Sequence, residues 1–142
     1  MLSAVLDTNV IVSGIISGAG APSEVLTAWR DRRWNLVTSL GILREVERVL
    51  TLPKIARRYA ITGQDATDAI RLLKARAAVV PGTFTIPRTA RDPDDDHILA
   101  CAIEGHADHL VTGDQDLLAL ERFQGIPIIS PRAFATILKA PR

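Results

Sequence analysis

Short apolar runs alternate with stretches of helical periodicity along this chain of 142 residues. Leu2 to Leu6, interrupted only by Ser3, reads as a buried strand. From Pro22 to Arg33, Val25, Leu26 and Trp29 share one helical face. Asn35 to Thr38 predicts a second strand. Ser39 suits a helix cap, and the helix it starts runs to about Leu50 with Leu43, Val46 and Leu50 as its stripe. Pro53 opens a short helical piece. Ala66, Ile70, Leu73 and Ala77 mark a helix beginning at Thr62 or Gly63. Ala78 to Val80 is a third strand, stopped by Pro81-Gly82. Pro81 to Arg91 reads as a loop with a short extended piece at Thr85-Ile86.

The second half continues the alternation. Acids from Asp92 to Asp96 precede the apolar face of Ile98, Leu99, Ala102 and Ile103, which predicts a helix start. His109 to Thr112 is a fourth strand, Asp114 to Leu120 a helix, and Ile126 to Ile129 a fifth strand. Pro131 at a first helical position begins the last helix, Phe134 to Leu138. Strands alternating with helices imply a mostly parallel sheet covered on both faces. The length suits one α/β domain over residues 1–142.

Composition narrows the function classes. Hydrophobic residues make up 47% of the chain and aromatic ones 4%, so a core is affordable but base-stacking platforms are not expected. A single cysteine, Cys101, rules out an internal disulfide and a thiolate zinc cluster. No apolar run approaches the ~20 residues of a membrane span, and no signal-peptide pattern follows Met1; the expectation is a soluble cytoplasmic protein. Charge is segregated under a net +1. Residues 30–88 hold twelve Lys or Arg against five Asp or Glu, and residues 89–142 hold five against nine. A basic middle and an acidic end suit a metal-holding pocket beside a phosphate-attracting surface.

The acids are the candidate chemistry. In open parallel sheets, ligands bind at the carboxyl ends of strands. Asp7 directly follows the first strand, Asp114 follows the fourth after Gly113, and Asp96 starts the helix that feeds the fourth. Asp96 lies three, four and seven positions before Leu99, Ala100 and Ile103, so it shares their inward face and needs a partner there. Asp92, Asp94 and Asp95 are explained as helix-capping acids. Gathered carboxylates imply a cation, and an oxygen-only ligand set favours Mg²⁺ or Mn²⁺ over zinc. On the helix after Ser39, Glu45 and Glu47 flank the stripe on opposite sides, and phase does not choose between them. No phosphate-binding glycine motif and no nucleophile elbow is present.

Val5-Leu6-Asp7-Thr8-Asn9-Val10 resembles the opening signature of PIN domains. Arg91-Asp92-Pro93-Asp94-Asp95-Asp96 before Ile98-Leu99-Ala100, then Leu110-Val111-Thr112-Gly113-Asp114-Gln115-Asp116-Leu117-Leu118, resembles the second half of that family. The similarity runs through Ile128-Ile129-Ser130-Pro131, and its nearest branch is the bacterial toxin-component PIN proteins, relatives of the VapC toxins. The resemblance implies a three-layer α/β/α sandwich with a mostly parallel five-stranded sheet, and a Mg²⁺- or Mn²⁺-dependent ribonuclease leaving a 5′-phosphate. It assigns catalysis to Asp7, Glu45, Asp96 and Asp114, and so prefers Glu45 to Glu47. Asp7, Asp96, Asp114 and Asp116 would hold metal, with Asn9, Thr112 and Asp116 in support. Arg44, Arg48, Arg57 and Arg58 are candidate contacts to the RNA backbone. A small antitoxin and a homodimer are the implied partners. The rival readings are a Mg²⁺-binding signalling domain of receiver type, which lacks its expected Lys after the last strand, and an RNA-binding domain that does not cut.

Overall fold

The computed structural model describes residues 1–90 and 92–140, the side chain of Asp94 excepted. Arg91, at the head of the acidic motif, and Pro141 and Arg142, at the end of the expected domain, fall outside them. The first half runs β1 (Ser3–Leu6), α1 (Thr8–Ile16), α2 (Ala21–Arg30), β2 (Asn35–Ser39), α3 (Leu40–Leu50), α4 (Pro53–Arg58), α5 (Gly63–Arg76) and β3 (Ala78–Val80). After a 3-10 turn at Pro93–Asp95 come α6 (Asp96–Glu104), β4 (His109–Val111), α7 (Gln115–Leu118), β5 (Arg122–Phe123), β6 (Ile126–Ile129) and α8 (Pro131–Lys139). Thr85-Ile86 is not a strand. No single described helix is long and apolar enough to cross a membrane.

The strands line up as β3-β2-β1-β4-β6-β5, six rather than the expected five. All neighbours are parallel except β5, which pairs antiparallel with β6. The extra strand is two residues long, too short to show a period. A two-residue turn makes it: Gln124 and Gly125 both take positive φ, 48° and 84°, as a tight hairpin requires. The order reverses at β1. From there the chain builds outward to β2 and β3, then returns on the other side to β4. A crevice is expected at the carboxyl ends of the two strands flanking such a reversal.

Ala4, Val5 and Leu6 are all buried, as are Leu110 and Val111, so both faces of the central strands are covered. α6 lies over β1, β2 and β4, while α1 packs with α2 and α3, and α2 with α8. Two of the few aromatics meet beside α2 and α8. Trp34 and Phe134 stand edge to face, 5.1 Å between centroids, and Trp34 Nε1 donates to the Val25 carbonyl at 2.9 Å.

α1 is not announced by the apolar pattern. Val10, Ile11, Val12, Ile15 and Ile16 are β-branched, which favours strands. The helix stands because Asp7 caps it, Oδ1 accepting from the Asn9 amide at 3.2 Å, and because Val10, Ile11 and Val12 are buried. Gly14 lets it approach α2. A Cβ there would stand 2.5 Å from Leu26 Cδ1 and 2.8 Å from the Pro22 carbonyl oxygen. Gly14→Ala is therefore expected to lower Tm. Overpacking costs about 1–3 kcal/mol, against at most ~1 kcal/mol that alanine gains in helix propensity. An unchanged or raised Tm would show that the two helices separate freely.

Candidate active site

Asp7 sits where the crevice is expected. Its amide donates to the Val111 carbonyl at 3.0 Å, which ties the end of β1 to the end of β4. The residue is only 6% exposed. A buried carboxylate needs donors, and Asp7 has two: the Asn9 amide on Oδ1 and the Thr112 hydroxyl on Oδ2 at 2.7 Å. Thr112 is fully buried. Its Oγ1 also accepts from the Asp114 amide at 3.0 Å. Asp114 in turn caps α7, Oδ1 accepting from the Asp116 and Leu117 amides at 2.8 and 3.1 Å. Thr112 is thus the link that sets Asp7 and Asp114 relative to one another. Thr112→Val keeps the shape and removes the donor. It is expected to cost about 1–3 kcal/mol in chemical denaturation, while Thr112→Ser restores most of it. Equal stability of the two variants would show the hydroxyl to be idle.

Asp7 and Asp114 line a cleft of about 370 Å³ together with Glu45, Asp92, Asp95 and His97. Four segments supply the acids: the end of β1, the middle of α3, the 3-10 turn with the residue before it, and the end of β4. Glu45 faces the cleft while Glu47 is exposed on another side of α3. Arg48, three residues on, grips Glu45 through Nε at 3.1 Å and a second nitrogen at 2.5 Å. Those hydrogen bonds, with smaller help from the charge of Arg48 and His97, hold the Glu45 carboxyl below its usual range. The pair stabilises the fold above that range and is lost as pH falls through the lowered value.

Asp96 is not part of the cleft lining. Its carboxylate accepts from the Ala90 amide at 2.7 Å and from the Thr89 amide at 3.2 Å. The partner that its inward phase demands is backbone of the preceding loop. Asp92 and Asp95 take its expected place. Asp95 stands at the N-cap position of α6 but makes no side-chain cap bond, so its reading as a capping acid is corrected, while its charge still sits at the positive end of the helix dipole. Asp95 lies three and four residues before the buried Ile98 and Leu99, so helical phase admits it as readily as Asp96. The path of the loop from Pro81 decides between them, and no periodicity records that path.

The other candidates divide. Asn9 lines the cleft, and Thr112 orients Asp7. Asp116 is exposed in the first turn of α7 and does not line the cleft. Arg48 reaches the rim through Glu45. Arg44, Arg57 and Arg58 do not line the cleft, and the Arg58 guanidinium lies over the Tyr59 ring at 5.4 Å. Burial pushes the Cys101 thiol up to about 12, so it is no nucleophile.

The cleft's donors are carboxylate oxygens with one imidazole and no thiolate, a set that fits a hard cation such as Mg²⁺ or Mn²⁺. Among the described residues no three acidic, imidazole or thiol groups already stand together as a chelate. The acids are therefore grouped but not closed on one another.

Comparison with known proteins agrees with this architecture. An uncharacterized protein of Methanocaldococcus jannaschii is 29% identical over 119 residues, 84% of this chain and 75% of that protein. In structure the chain resembles VapBC2 from Rickettsia felis, solved bound to a DNA fragment from its promoter, with a TM-score of 0.59 and 14% identity. It also resembles FitAcB from Neisseria gonorrhoeae, with a TM-score of 0.50 and 18% identity. Each likeness covers 91% of this chain and 98% of the other, and at such identities it concerns the fold. The PIN domain family matches residues 3–116, from β1 through Asp114 and Asp116. That span carries every acid of the cleft, and the chain belongs to the PIN domain family.

Proposed function

We propose that this chain is a divalent-metal-dependent endoribonuclease, the toxin of a toxin–antitoxin pair. The observation that carries the reading is the single cleft in which Asp7, Glu45, Asp92, Asp95 and Asp114 converge from four segments. PIN domains are generally nucleases and typically use divalent metals, which supports hydrolysis of a phosphodiester.

A bound Mg²⁺ or Mn²⁺ supplies positive charge against the phosphoryl oxygens and acidity to an attacking water. Asp7, Asp95 and Asp114 would hold it, with Asp92 and Glu45 beside them. Asp7 and Asp114 are held by Thr112 and by the helix starts they cap, so their orientation is set before substrate arrives. Glu45 is held by Arg48 until RNA enters. A phosphate competing for the guanidinium frees the Glu45 carboxylate to orient water. Arg44, Arg57 and Arg58 belong to the basic middle of the chain and would contact the RNA backbone further out.

The Rickettsia felis neighbour, VapBC2, carries promoter DNA. This supports a small DNA-binding antitoxin as the partner here. The reading includes a homodimer and a cytoplasmic location, where RNA is the available substrate. Incubating the purified protein with 3′-labelled RNA is expected to give labelled fragments that begin with a 5′-phosphate when Mg²⁺ or Mn²⁺ is present and none with EDTA. Cleavage that persists in EDTA, or intact RNA with both metals, would overturn the proposal.

A further inference from the structure

A second cavity, of about 290 Å³, adjoins the acidic cleft and shares Asp7, Asn9 and Asp114 with it. Its remaining wall differs in kind. Val10 and Ser13 stand one turn apart on α1, and Pro22 and Pro131 close it from the first turns of α2 and α8. The two prolines carry no N–H and have rigid rings, so they offer apolar faces that compete for no hydrogen bond. Val10 is stiff at χ1. The wall is therefore preformed. Two polar groups interrupt it, the Ser13 hydroxyl and the Asn9 carboxamide, and neither makes a side-chain hydrogen bond within the described residues. Rigid apolar faces with a few free polar groups are the usual chemistry of a small-molecule site. Next to a cleft that handles a phosphodiester, that combination fits a flat ring with a polar edge.

We infer that this cavity receives one unstacked nucleobase of the RNA strand, beside the phosphate in the acidic cleft. The inference rests on the ribonuclease reading. The base packs its face on Pro22, Pro131 and Val10, and Ser13 and Asn9 hydrogen-bond its edge, as single-stranded RNA is read once its bases are splayed out. Specificity for the nucleotide at the cut then comes from Ser13 and Asn9 rather than from the acids.

Nucleosides test this without cleavage and without a phosphate for Asp7 and Asp114 to repel. The ¹⁵N-labelled protein in EDTA is titrated with adenosine, guanosine, cytidine, uridine and ribose. At least one nucleoside is expected to shift the Val10 and Ser13 amides saturably, at least tenfold more tightly than ribose does. Ser13→Phe, which fills the cavity, is expected to weaken that nucleoside at least tenfold. Should this variant not fold, Ser13→Ala is expected to change the ranking of the four nucleosides. Equal binding of nucleosides and ribose, or binding that both variants leave unchanged, overturns the inference. A protein that binds a nucleoside here but leaves RNA whole overturns the nuclease reading and keeps the cavity. One that cuts RNA yet treats nucleosides like ribose does the reverse.

Discussion

Asp7→Asn is expected to lower the rate of RNA cleavage by on the order of 100-fold or more, the scale of losing one preorganised electrostatic group in a catalytic site. The substitution is chosen because it removes the charge and keeps the helix cap, at the loss of one contact, the bond from the Thr112 hydroxyl to Oδ2. Asn caps a helix as well as Asp does, so the start of α1 keeps its bond from the Asn9 amide. The side chain keeps its volume among buried neighbours. The negative charge at the meeting point of β1 and β4 is gone. Initial rates at saturating Mg²⁺, with melting curves of both proteins, separate chemistry from folding. A folded variant within tenfold of the unaltered rate would remove Asp7 from the catalytic group.

The second expected result reverses the roles that the sequence assigns around α6. Asp95→Asn is expected to cut the rate at least about tenfold at temperatures where the variant is folded, the loss that follows from weakening a metal ligand or its immediate support. Asp96→Ala is expected to do the opposite. It leaves the Ala90 and Thr89 amides without their acceptor, at about 1–3 kcal/mol where such groups are buried, and Ala90 is buried. Its rate should stay near normal at temperatures where the variant is folded. A loss of rate confined to the Asp96 variant would return the third acid to that position and empty the cleft's third place.

These two positions also mark how far the sequence can be read. The strand-and-helix alternation is a local property, and it fixes the parallel sheet and the crevice at β1 and β4. Asp7 and Asp114 follow from strand ends, because a side chain just past a strand has little choice of where to point. Thr8–Ile16 escapes because its β-branched run argues for a strand, and only the Asp7 cap and burial against α2 outvote it. The β5 edge escapes because two residues have no period. Glu45 and Glu47 are equivalent by phase, and it takes the resemblance, and then the packing of α3, to turn Glu45 to the cleft. Asp95 and Asp96 are adjacent acids at a helix start. What separates them is a contact with Thr89 and Ala90 across a loop, a tertiary fact that no local pattern encodes.

The double duty of Asp7 and Asp114 bears on how such a chain can change over generations. Active sites commonly trade against stability, so that discarding a functional charge makes a fold sturdier. Here the two carboxylates at the ends of β1 and β4 also hold the first turns of α1 and α7, and replacing a cap by alanine costs about 1 kcal/mol. Selection for a folded chain and selection for a working one therefore act in the same direction at these two positions. Drift towards a silent but intact copy is left with a narrow exit, through asparagine, at the very residues whose charge matters most.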